Sequence, residues 1–202
     1  MSKTGLDYRN AQFLISAGTL SQCPEDNALE VAFIGRSNAG KSSAINVLTE
    51  QPKLARTSKT PGRTQLLNYF KVAEERYLVD LPGFGYAKVP PKLKQKWQKE
   101  LTRYLEERQS LQGVILLVDI RHHFKDSDMM IIDWASRAEM PLHILLTKAD
   151  KLKHGAAKAA LLSAQKELSP FGERISLQLF SALKASGVDA LRKQLNLWLN
   201  SE

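Results

Sequence analysis

Apolar runs alternate along the chain with longer segments in which apolar residues recur at helical spacing. The pairs, in chain order, are LEVAFIG with SSAINVLTE, YLVDL with KLKQKWQKELTRYLEER, GVILLVD with SDMMIIDWASRA, PLHILLT with AAKAALLSAQKEL, and SLQLFSA with VDALRKQLNLWL. Such alternation predicts a three-layer α/β fold, in which helices cover both faces of a mostly parallel sheet. Near-continuous apolar runs such as VILLV are typical of strands that are buried on both sides.

Two segments depart from this alternation. LLNYFKV, residues 66–72, alternates between apolar and polar positions just before YLVDL, which predicts one antiparallel hairpin at the edge of the sheet. FLIS, residues 13–16, is a candidate short edge strand in an otherwise irregular opening. We therefore expect an N-terminal extension over residues 1–28 and a single α/β domain over residues 29–202.

Composition bears on location and partners. Lysine and arginine number 29 against 21 acidic residues, and the net charge of +8 favours polyanionic partners. The one cysteine, Cys23, cannot form an internal disulfide, and the first residues show no signal-peptide pattern. No apolar run approaches the roughly 20 residues needed to cross a bilayer. We expect a cytoplasmic protein with no membrane partner.

The stretch VAFIGRSNAGKSSAINVL contains the phosphate-binding pattern G-x-x-x-x-G-K-[S/T] between a predicted strand and a predicted helix. Glycines let such a loop curl so that successive backbone N–H groups point at a phosphate, and the helix N-terminus adds a favourable dipole. In this pattern Lys41 reaches the β- and γ-phosphate oxygens, and the hydroxyl of Ser42 is a ligand for Mg²⁺. The sequence therefore predicts a site for a nucleoside triphosphate with Mg²⁺.

The tetrapeptide TKAD, which runs from Thr147 to Asp150, ends the strand PLHILLT at the carboxyl edge where open α/β sheets bind ligands. The Asp150 carboxylate can accept two hydrogen bonds from guanine, whereas adenine offers no matching donors, which argues against an ATPase of the same fold. Lys148 would lay its alkyl stem along the base. SALK, which begins at Ser181, follows the last predicted strand and can bring a backbone N–H to guanine O6. These motifs predict guanine as the base.

Two further segments are expected at the phosphates. Asp80, which ends the strand YLVD, can hold Mg²⁺ through a water molecule, and the N–H of Gly83 can sense the γ-phosphate, so this segment is predicted to act as a switch. The polar loop upstream supplies a hydroxyl for Mg²⁺ in the triphosphate state. Thr60 and Thr64 are both candidates, and Thr64 is preferred because it lies immediately before the predicted hairpin.

The motifs GRSNAGKSS, TSKTPGRTQ, DLPGFGYA, DIRH, LLTKADK and FSALK occur in the order found in the EngB (YihA or YsxC) family of bacterial GTPases, which the chain resembles from about residue 13 to residue 198. This family belongs to the TrmE-Era-EngA-EngB-Septin-like P-loop GTPases. The resemblance implies a Mg²⁺-dependent GTPase that hydrolyses GTP to GDP and acts as a switch in large ribosomal subunit assembly. It also implies a need for the protein in normal cell division and septation.

The resemblance assigns residues by motif position. Those assigned to GTP or GDP are Gly35, Arg36, Ser37, Asn38, Ala39, Gly40, Lys41, Ser42, Gly62, Arg63, Thr64, Gln65, Leu66, Asp80, Leu81, Pro82, Gly83, Thr147, Lys148, Ala149, Asp150, Leu179, Phe180, Ser181 and Ala182. Ser42 and Thr64 are assigned to Mg²⁺. Thr147 departs from the wider GTPase pattern, where Asn is usual. Because threonine cannot bridge back to the phosphate-binding loop as an amide can, we expect weaker nucleotide affinity.

Catalysis is expected to rest on Lys41, Asn38 and Thr64. Phe84 stands where many GTPases place a glutamine that orients the attacking water, so intrinsic hydrolysis should be slow. The Asn38 carbonyl, with phosphate oxygens and backbone carbonyls of the upstream loop, is one candidate cage for K⁺, which similar GTPases place there. Alternatively, Asn38 only tolerates a left-handed backbone conformation or caps the turn. The sequence leaves both interpretations open.

KVPPKLKQKWQKELTR, residues 88–103, follows the switch and holds six basic residues against one acid, Glu100. Its lysines spread around a helix, so a solvated face is one interpretation. Contact with ribosomal RNA or the large ribosomal subunit is favoured, because neutralising phosphates requires such charge. We expect a monomer that does not use DNA. The alternative function is a division or septation protein that acts through protein contacts, with GTP as a structural ligand.

Overall fold

In the computed structural model of the protein, the described residues are 5–55, 66–84, 91–122 and 124–200, with only the backbone described for 91–98. They form one sheet whose strands are β1 (Gln12–Ala17), β2 (Leu29–Gly35), β3 (Leu67–Ala73), β4 (Arg76–Asp80), β5 (Leu111–Asp119), β6 (Leu142–Thr147) and β7 (Ile175–Leu179). The α-helices are α1 (Lys41–Thr49), α2 (Pro91–Glu107), α3 (Asp126–Arg137), α4 (His154–Leu168) and α5 (Val188–Leu199). Short 3₁₀ turns cover Tyr8–Asn10, Leu20–Gln22, Ala149–Lys151 and Ser169–Phe171.

The strand order across the sheet is β1-β3-β4-β2-β5-β6-β7. From β4 to β7 every neighbouring pair is parallel, whereas β3 pairs antiparallel with β4 and β1 pairs antiparallel with β3. The predicted α/β fold with a mostly parallel sheet is confirmed. Parallel strands end at the same edge of a sheet, so the loops that follow β2, β5, β6 and β7 meet there.

The edge of the sheet differs in one respect from the expectation. The hairpin of β3 and β4 is present, but β3 is not the outermost strand, because β1 pairs along its other side from Gln12 opposite Lys71 to Ala17 opposite Leu67. The segment FLIS therefore forms the edge, as its short apolar pattern indicated. The residues just before it also join the domain, since Tyr8 and Ala11 are buried in the core.

Alternate residues of the central strands pack against opposite helical layers. Val114, Leu116 and Val118 of β5 lie in the layer that contains buried residues of α2, α3 and α4. Ile115 and Leu117 lie in the layer that contains buried residues of α1 and α5. Each such apolar side chain contributes about 1.5–3 kcal/mol when it leaves water. The three-layer prediction is confirmed. Among the helices in the described ranges, none has the length and apolar character that a membrane crossing requires.

A buried charge network closes the amino end of the sheet. Glu30 of β2 has no solvent exposure and accepts hydrogen bonds from Tyr104 Oη at 2.9 Å and from Arg108 Nη2 at 2.5 Å. Arg108 also donates to the carbonyl of Pro24 at 2.7 Å. A buried carboxylate requires such partners, because an unpaired buried charge is strongly destabilising. This network is structural, and the polar motifs lie at the opposite, carboxyl edge.

Candidate functional site

The phosphate-binding loop, residues 35–42 (the P-loop below), connects β2 to α1 and turns through unusual backbone angles. Gly40 has a φ of 98° and Asn38 a φ of 63°, both in the left-handed region, which glycine and asparagine tolerate better than most residues. At Gly35 an added Cβ would lie 2.8 Å from the carbonyl oxygen of Leu117, so only glycine lets β2 approach β5 here. Asn38 thus adopts the left-handed backbone conformation that was one of its two predicted roles. Its other predicted role, as a ligand of K⁺, stays a prediction.

Lys41 and Asp80 meet at the end of the P-loop. The ammonium of Lys41 donates to Asp80 Oδ1, and the two side chains are only 14% and 7% exposed. Ser42 follows Lys41 in the first turn of α1, where backbone N–H groups have no intrahelical acceptors. The lysine and the β4 carboxylate predicted for the phosphates and Mg²⁺ therefore lie in one place. A hydroxyl and a carboxylate are hard oxygen donors of the kind that Mg²⁺ prefers.

Thr147 at the end of β6 contradicts the expectation drawn from its sequence. Its Oγ1 lies 2.7 Å from the carbonyl oxygen of Ala39 and 3.2 Å from that of Val118, and the side chain is buried. Because β6 ends close to the P-loop, the short side chain of Thr147 reaches far enough to donate a hydrogen bond to the P-loop. The prediction that threonine cannot bridge to the P-loop was wrong, and the weaker nucleotide affinity inferred from it has no basis.

Lys148 makes a second bond to the P-loop, in which its Nζ donates to the carbonyl oxygen of Asn38 at 2.8 Å. The same ammonium lies 2.9 Å from Asp119 Oδ2, and Arg121 donates to both oxygens of that carboxylate. The hydrogen bonds from Arg121 and then Lys148 hold the pKa of Asp119 well below its usual value. No role was predicted for Asp119 or Arg121. Their position at and just beyond the end of the buried strand β5, at the carboxyl edge, was the available signal.

The two segments predicted to bind the guanine base, TKAD after β6 and the loop that begins at Ser181 after β7, also lie side by side. Ser181 Oγ donates to Asp150 Oδ1 at 2.5 Å, and this bond is the main cause that lowers the pKa of Asp150. The N–H of Ala149 donates to the carbonyl of Phe180 at 3.1 Å. Ser181 and Ser186 exchange backbone hydrogen bonds, which close a tight loop after β7. Asp150 is thereby fixed next to the loop that was expected to meet guanine O6.

The segment after β4 is tied to the P-loop by backbone hydrogen bonds. The N–H of Phe84 donates to the carbonyl of Gly35 at 3.2 Å, and the N–H of Ser37 donates to the carbonyl of Phe84 at 3.1 Å. Phe84 is 7% exposed and belongs to the apolar cluster that also contains buried residues of α2, α3 and α4. Its aromatic ring therefore belongs to the apolar layer of the core.

Several predicted residues lie outside the described residues. These are Thr60, Gly62, Arg63, Thr64, Gln65 and Lys88, together with the side chains of Lys92, Lys94 and Lys96. In the described part of the basic segment, Lys99 is exposed, and Arg103 pairs with Glu107 at 3.1 Å and with Glu100 at 3.8 Å. The expected RNA contact of this segment is therefore untested by the geometry.

The fold and the assembled motifs define a P-loop GTPase. The family model described as "50S ribosome-binding GTPase" matches residues 30–148. A relative from Escherichia coli O157:H7 (strain EC4115 / EHEC), described as "Probable GTP-binding protein EngB", is 53% identical over 197 residues, which are 98% of this chain and 94% of the relative. The chain belongs to the EngB family of GTP-binding proteins, as its motifs predicted.

Solved structures agree on the fold. A crystal structure of a probable GTP-binding protein EngB aligns with a TM-score of 0.68 at 20% identity, covering 86% of this chain and all of that one. A crystal structure of Era in complex with MgGDPNP and a segment of 16S ribosomal RNA gives a TM-score of 0.68 at 22% identity, covering 87% of this chain and 58% of that one. At these identities the likeness concerns the fold alone.

Proposed function

We propose that the protein is a Mg²⁺-dependent GTPase that hydrolyses GTP to GDP and phosphate, and that acts as a switch in assembly of the large ribosomal subunit. The main support for the nucleotide-binding part of this proposal is a pair of hydrogen bonds between the P-loop and the end of β6. Thr147 and Lys148 donate to the carbonyls of Ala39 and Asn38, so the phosphate-binding and base-reading segments form one site. The GTP residues named from the sequence are retained in this proposal.

Guanine selection is assigned to Asp150, whose side chain is 9% exposed and held by Ser181. A carboxylate that is buried and fixed in this way rejects a base without matching N–H donors, because its oxygens would be left unpaired. Ala182 and the residues around it contribute the backbone N–H that meets guanine O6. The Lys148 stem would pack on the base while its ammonium keeps the contact with Asn38.

Mg²⁺ would be held by the hydroxyls of Ser42 and Thr64 and, through water, by Asp80. Bound there, it would neutralise charge on the β- and γ-phosphates. Lys41 would bind the same phosphates from the P-loop. Because Phe84 has no hydrogen-bonding group, it cannot orient the attacking water. The charge that stabilises the transition state would come either from a K⁺ held partly by the Asn38 carbonyl or from a residue supplied by a partner.

The ribosomal part of the proposal rests on the family, whose model is described as ribosome-binding, and on the basic segment at residues 88–103. Its test is co-sedimentation with large ribosomal subunits across a salt series. Reversing Lys92, Lys94 and Lys96 to Glu should weaken the complex strongly and leave GDP binding intact, because neutralised phosphates dominate such affinity. The matched control reverses three exposed lysines on or next to α4, Lys153, Lys158 and Lys166.

Equal loss in the two triple variants would show a general charge effect and contradict a contact at α2. Unchanged co-sedimentation of both would favour the alternative, a division or septation protein that acts through protein contacts with GTP as a structural ligand. We further propose that residues 29–202 form the GTPase domain, with residues 1–28 as an N-terminal extension that contributes the edge strand β1. A monomeric, cytoplasmic protein is proposed with it, since GTP and ribosomal precursors are found there.

A further inference from the structure

The loop that follows β7, residues 181–186 (the base loop below), is closed by two backbone hydrogen bonds between Ser181 and Ser186, at 3.0 Å and 3.1 Å. Within it, the N–H of Ala182 has no acceptor among the described residues, and it is one of the groups proposed to meet guanine O6. Leu183 is 73% exposed, so this part of the loop packs little against the domain. The position of the Ala182 N–H therefore depends on how the two ends of the base loop are held.

One side chain outside the base loop binds the residue that directly follows it. Gln178 of β7 donates from Nε2 to the carbonyl oxygen of Gly187 at 2.7 Å. The same carbonyl oxygen accepts the N–H of Leu191 at 3.1 Å, which begins the hydrogen bonding of α5. Gln178 therefore holds the point at which the base loop becomes α5.

Gly187 leaves the space that this contact needs. Its φ of 83° lies in the left-handed region, which favours glycine. An added Cβ would lie 2.5 Å from the carbonyl oxygen of Leu179 and 2.7 Å from Gln178 Nε2. Any side chain at this position would thus displace the amide of Gln178 from the carbonyl that it binds.

The buried residue His143 fixes the orientation of the Gln178 amide. The end of the amide that faces the carbonyl oxygens of Gly187 and Leu179, at 2.7 Å and 3.3 Å, must be the NH₂ group, because a carbonyl can only accept. Gln178 Oε1 then lies 2.9 Å from His143 Nε2, which must carry a proton. His143 Nδ1 is left to accept from the hydroxyl of Ser176 at 2.8 Å. The hydrogen bonds therefore run in one direction, from Ser176 through His143 and Gln178 to Gly187.

We propose that Gln178 is a positioning residue for guanine recognition. By holding the carbonyl of Gly187, its amide keeps the base loop where the N–H of Ala182 can meet guanine O6. Gln178 acts without touching the nucleotide, through Gly187 and the pair formed by Ser181 and Ser186. The inference rests on the guanine site of the proposed function, to which it adds a residue that controls the contact at O6.

The two ends of the base loop are held by different side chains, which separates the two contacts with the base. Ser181 at the first end binds Asp150 at 2.5 Å, so the carboxylate proposed to bind the N–H groups of guanine is held independently of Gln178. Removing the Gln178 amide should therefore weaken the contact at O6 more than the contacts at Asp150. The analogue 6-thio-GDP measures this difference, because a weakly accepting sulfur replaces O6 while the N–H groups remain.

The test compares the Kd values of GDP, 6-thio-GDP and ADP for the full chain with Mg²⁺, by competition against a fluorescent GDP. The wild type should prefer GDP to 6-thio-GDP by about 2- to 13-fold, the size of one neutral hydrogen bond. Gln178→Met keeps the length of the side chain without its donors and should bring this ratio close to one, while 6-thio-GDP still binds more tightly than ADP. Ser176→Ala is the matched control, because it removes a hydrogen bond on the same strand, leaves Gly187 held and should keep the wild-type ratio.

A double variant separates positioning from stability. Gln178→Met leaves His143 Nε2 without its acceptor, which should lower the free energy of unfolding in urea. Combining it with His143→Leu removes both polar partners and should recover much of that stability. The double variant should nevertheless keep a ratio of GDP to 6-thio-GDP affinity close to one. Recovery of the wild-type ratio together with the stability would overturn the proposal, because Gln178 would then act through stability alone.

The outcomes separate this inference from the proposed function. A wild-type ratio in Gln178→Met, an equal fall of the ratio in Ser176→Ala, or a wild type that binds GDP and 6-thio-GDP equally would each overturn the inference and leave GTP binding standing. A wild type that binds ADP as tightly as GDP would instead overturn the guanine assignment of the proposed function, and this inference with it.

Discussion

Replacing Thr147 by valine tests the tether between β6 and the P-loop. Valine has nearly the shape of threonine but no hydroxyl, so Thr147→Val removes the bond of 2.7 Å to the Ala39 carbonyl and the longer one of 3.2 Å to the Val118 carbonyl. In the free variant the P-loop can turn this carbonyl towards water. GDP binding requires the original loop, so binding must then bury the carbonyl without a donor.

The cost of leaving a buried acceptor unsatisfied is about 1–3 kcal/mol. Since 1.4 kcal/mol is a factor of ten, GDP affinity should fall by roughly 5- to 150-fold, mainly through faster dissociation. Stopped-flow fluorescence with a labelled GDP measures this rate directly. Thr147→Ser is the matched control, because it keeps the hydroxyl and should dissociate GDP at a rate close to that of the wild type.

Urea unfolding of both variants shows whether the fold is intact. A Thr147→Val protein that unfolds cooperatively and dissociates GDP as slowly as the wild type would refute the tether. A loss of equal size in Thr147→Ser would show that the methyl group, rather than the hydroxyl, matters at this position.

Three other predictions follow from the same site and from one buried histidine. Asp150→Asn should lose GTP and gain xanthosine triphosphate, because the amide can donate to the oxygen at C2; an unchanged nucleotide preference in competition binding would contradict the assignment. If Asn38 helps to bind K⁺, GTP hydrolysis in the presence of ribosomal subunits should be faster in KCl than in NaCl at equal ionic strength. Asn38→Ala should remove this difference, and equal wild-type rates in the two salts would exclude a role for K⁺. Burial lowers the pKa of His143, so the unfolded chain binds the proton first as the pH falls below about 6.5, and the free energy of unfolding should drop there by up to about 1.4 kcal/mol per pH unit. Urea titrations of His143→Gln should lack this drop, and a wild-type free energy of unfolding that is flat between pH 7.5 and 5.5 would contradict the reasoning.

The regular elements follow from local patterns, and the structure confirms them closely. VDALRKQLNLWL predicts α5 at its observed bounds, Val188–Leu199, because its apolar residues recur on one face. SLQLFSA predicts a longer strand than β7, which ends at Leu179. The serine beyond it bonds instead to Ser186 and to Asp150, and such partners, distant in sequence, are invisible to a local pattern.

The contacts between motifs were harder to predict than the motifs themselves. Thr147 and Ala39 are 108 positions apart, and whether a hydroxyl spans the gap depends on how closely β6 approaches the P-loop. Side-chain type alone indicated that only the amide of the usual asparagine could bridge to the P-loop, which was wrong. The contacts of Asp119 were missed for the same reason, since they depend on which cations the fold places around the carboxylate.

The two backbone hydrogen bonds of Phe84 determine the free energy that any movement of the segment at Gly83 would cost. Gly83 lies between β4 and a residue anchored twice to the P-loop, through the Gly35 carbonyl and the Ser37 N–H. Moving this segment breaks both backbone bonds, at a net cost of about 0.5–1.5 kcal/mol each. One charge-assisted hydrogen bond from the Gly83 N–H to a γ-phosphate is worth about 1.5–3 kcal/mol, a sum of the same size. If the Gly83 N–H senses the γ-phosphate as proposed, a single phosphate contact would therefore be large enough to offset the loss of both backbone hydrogen bonds.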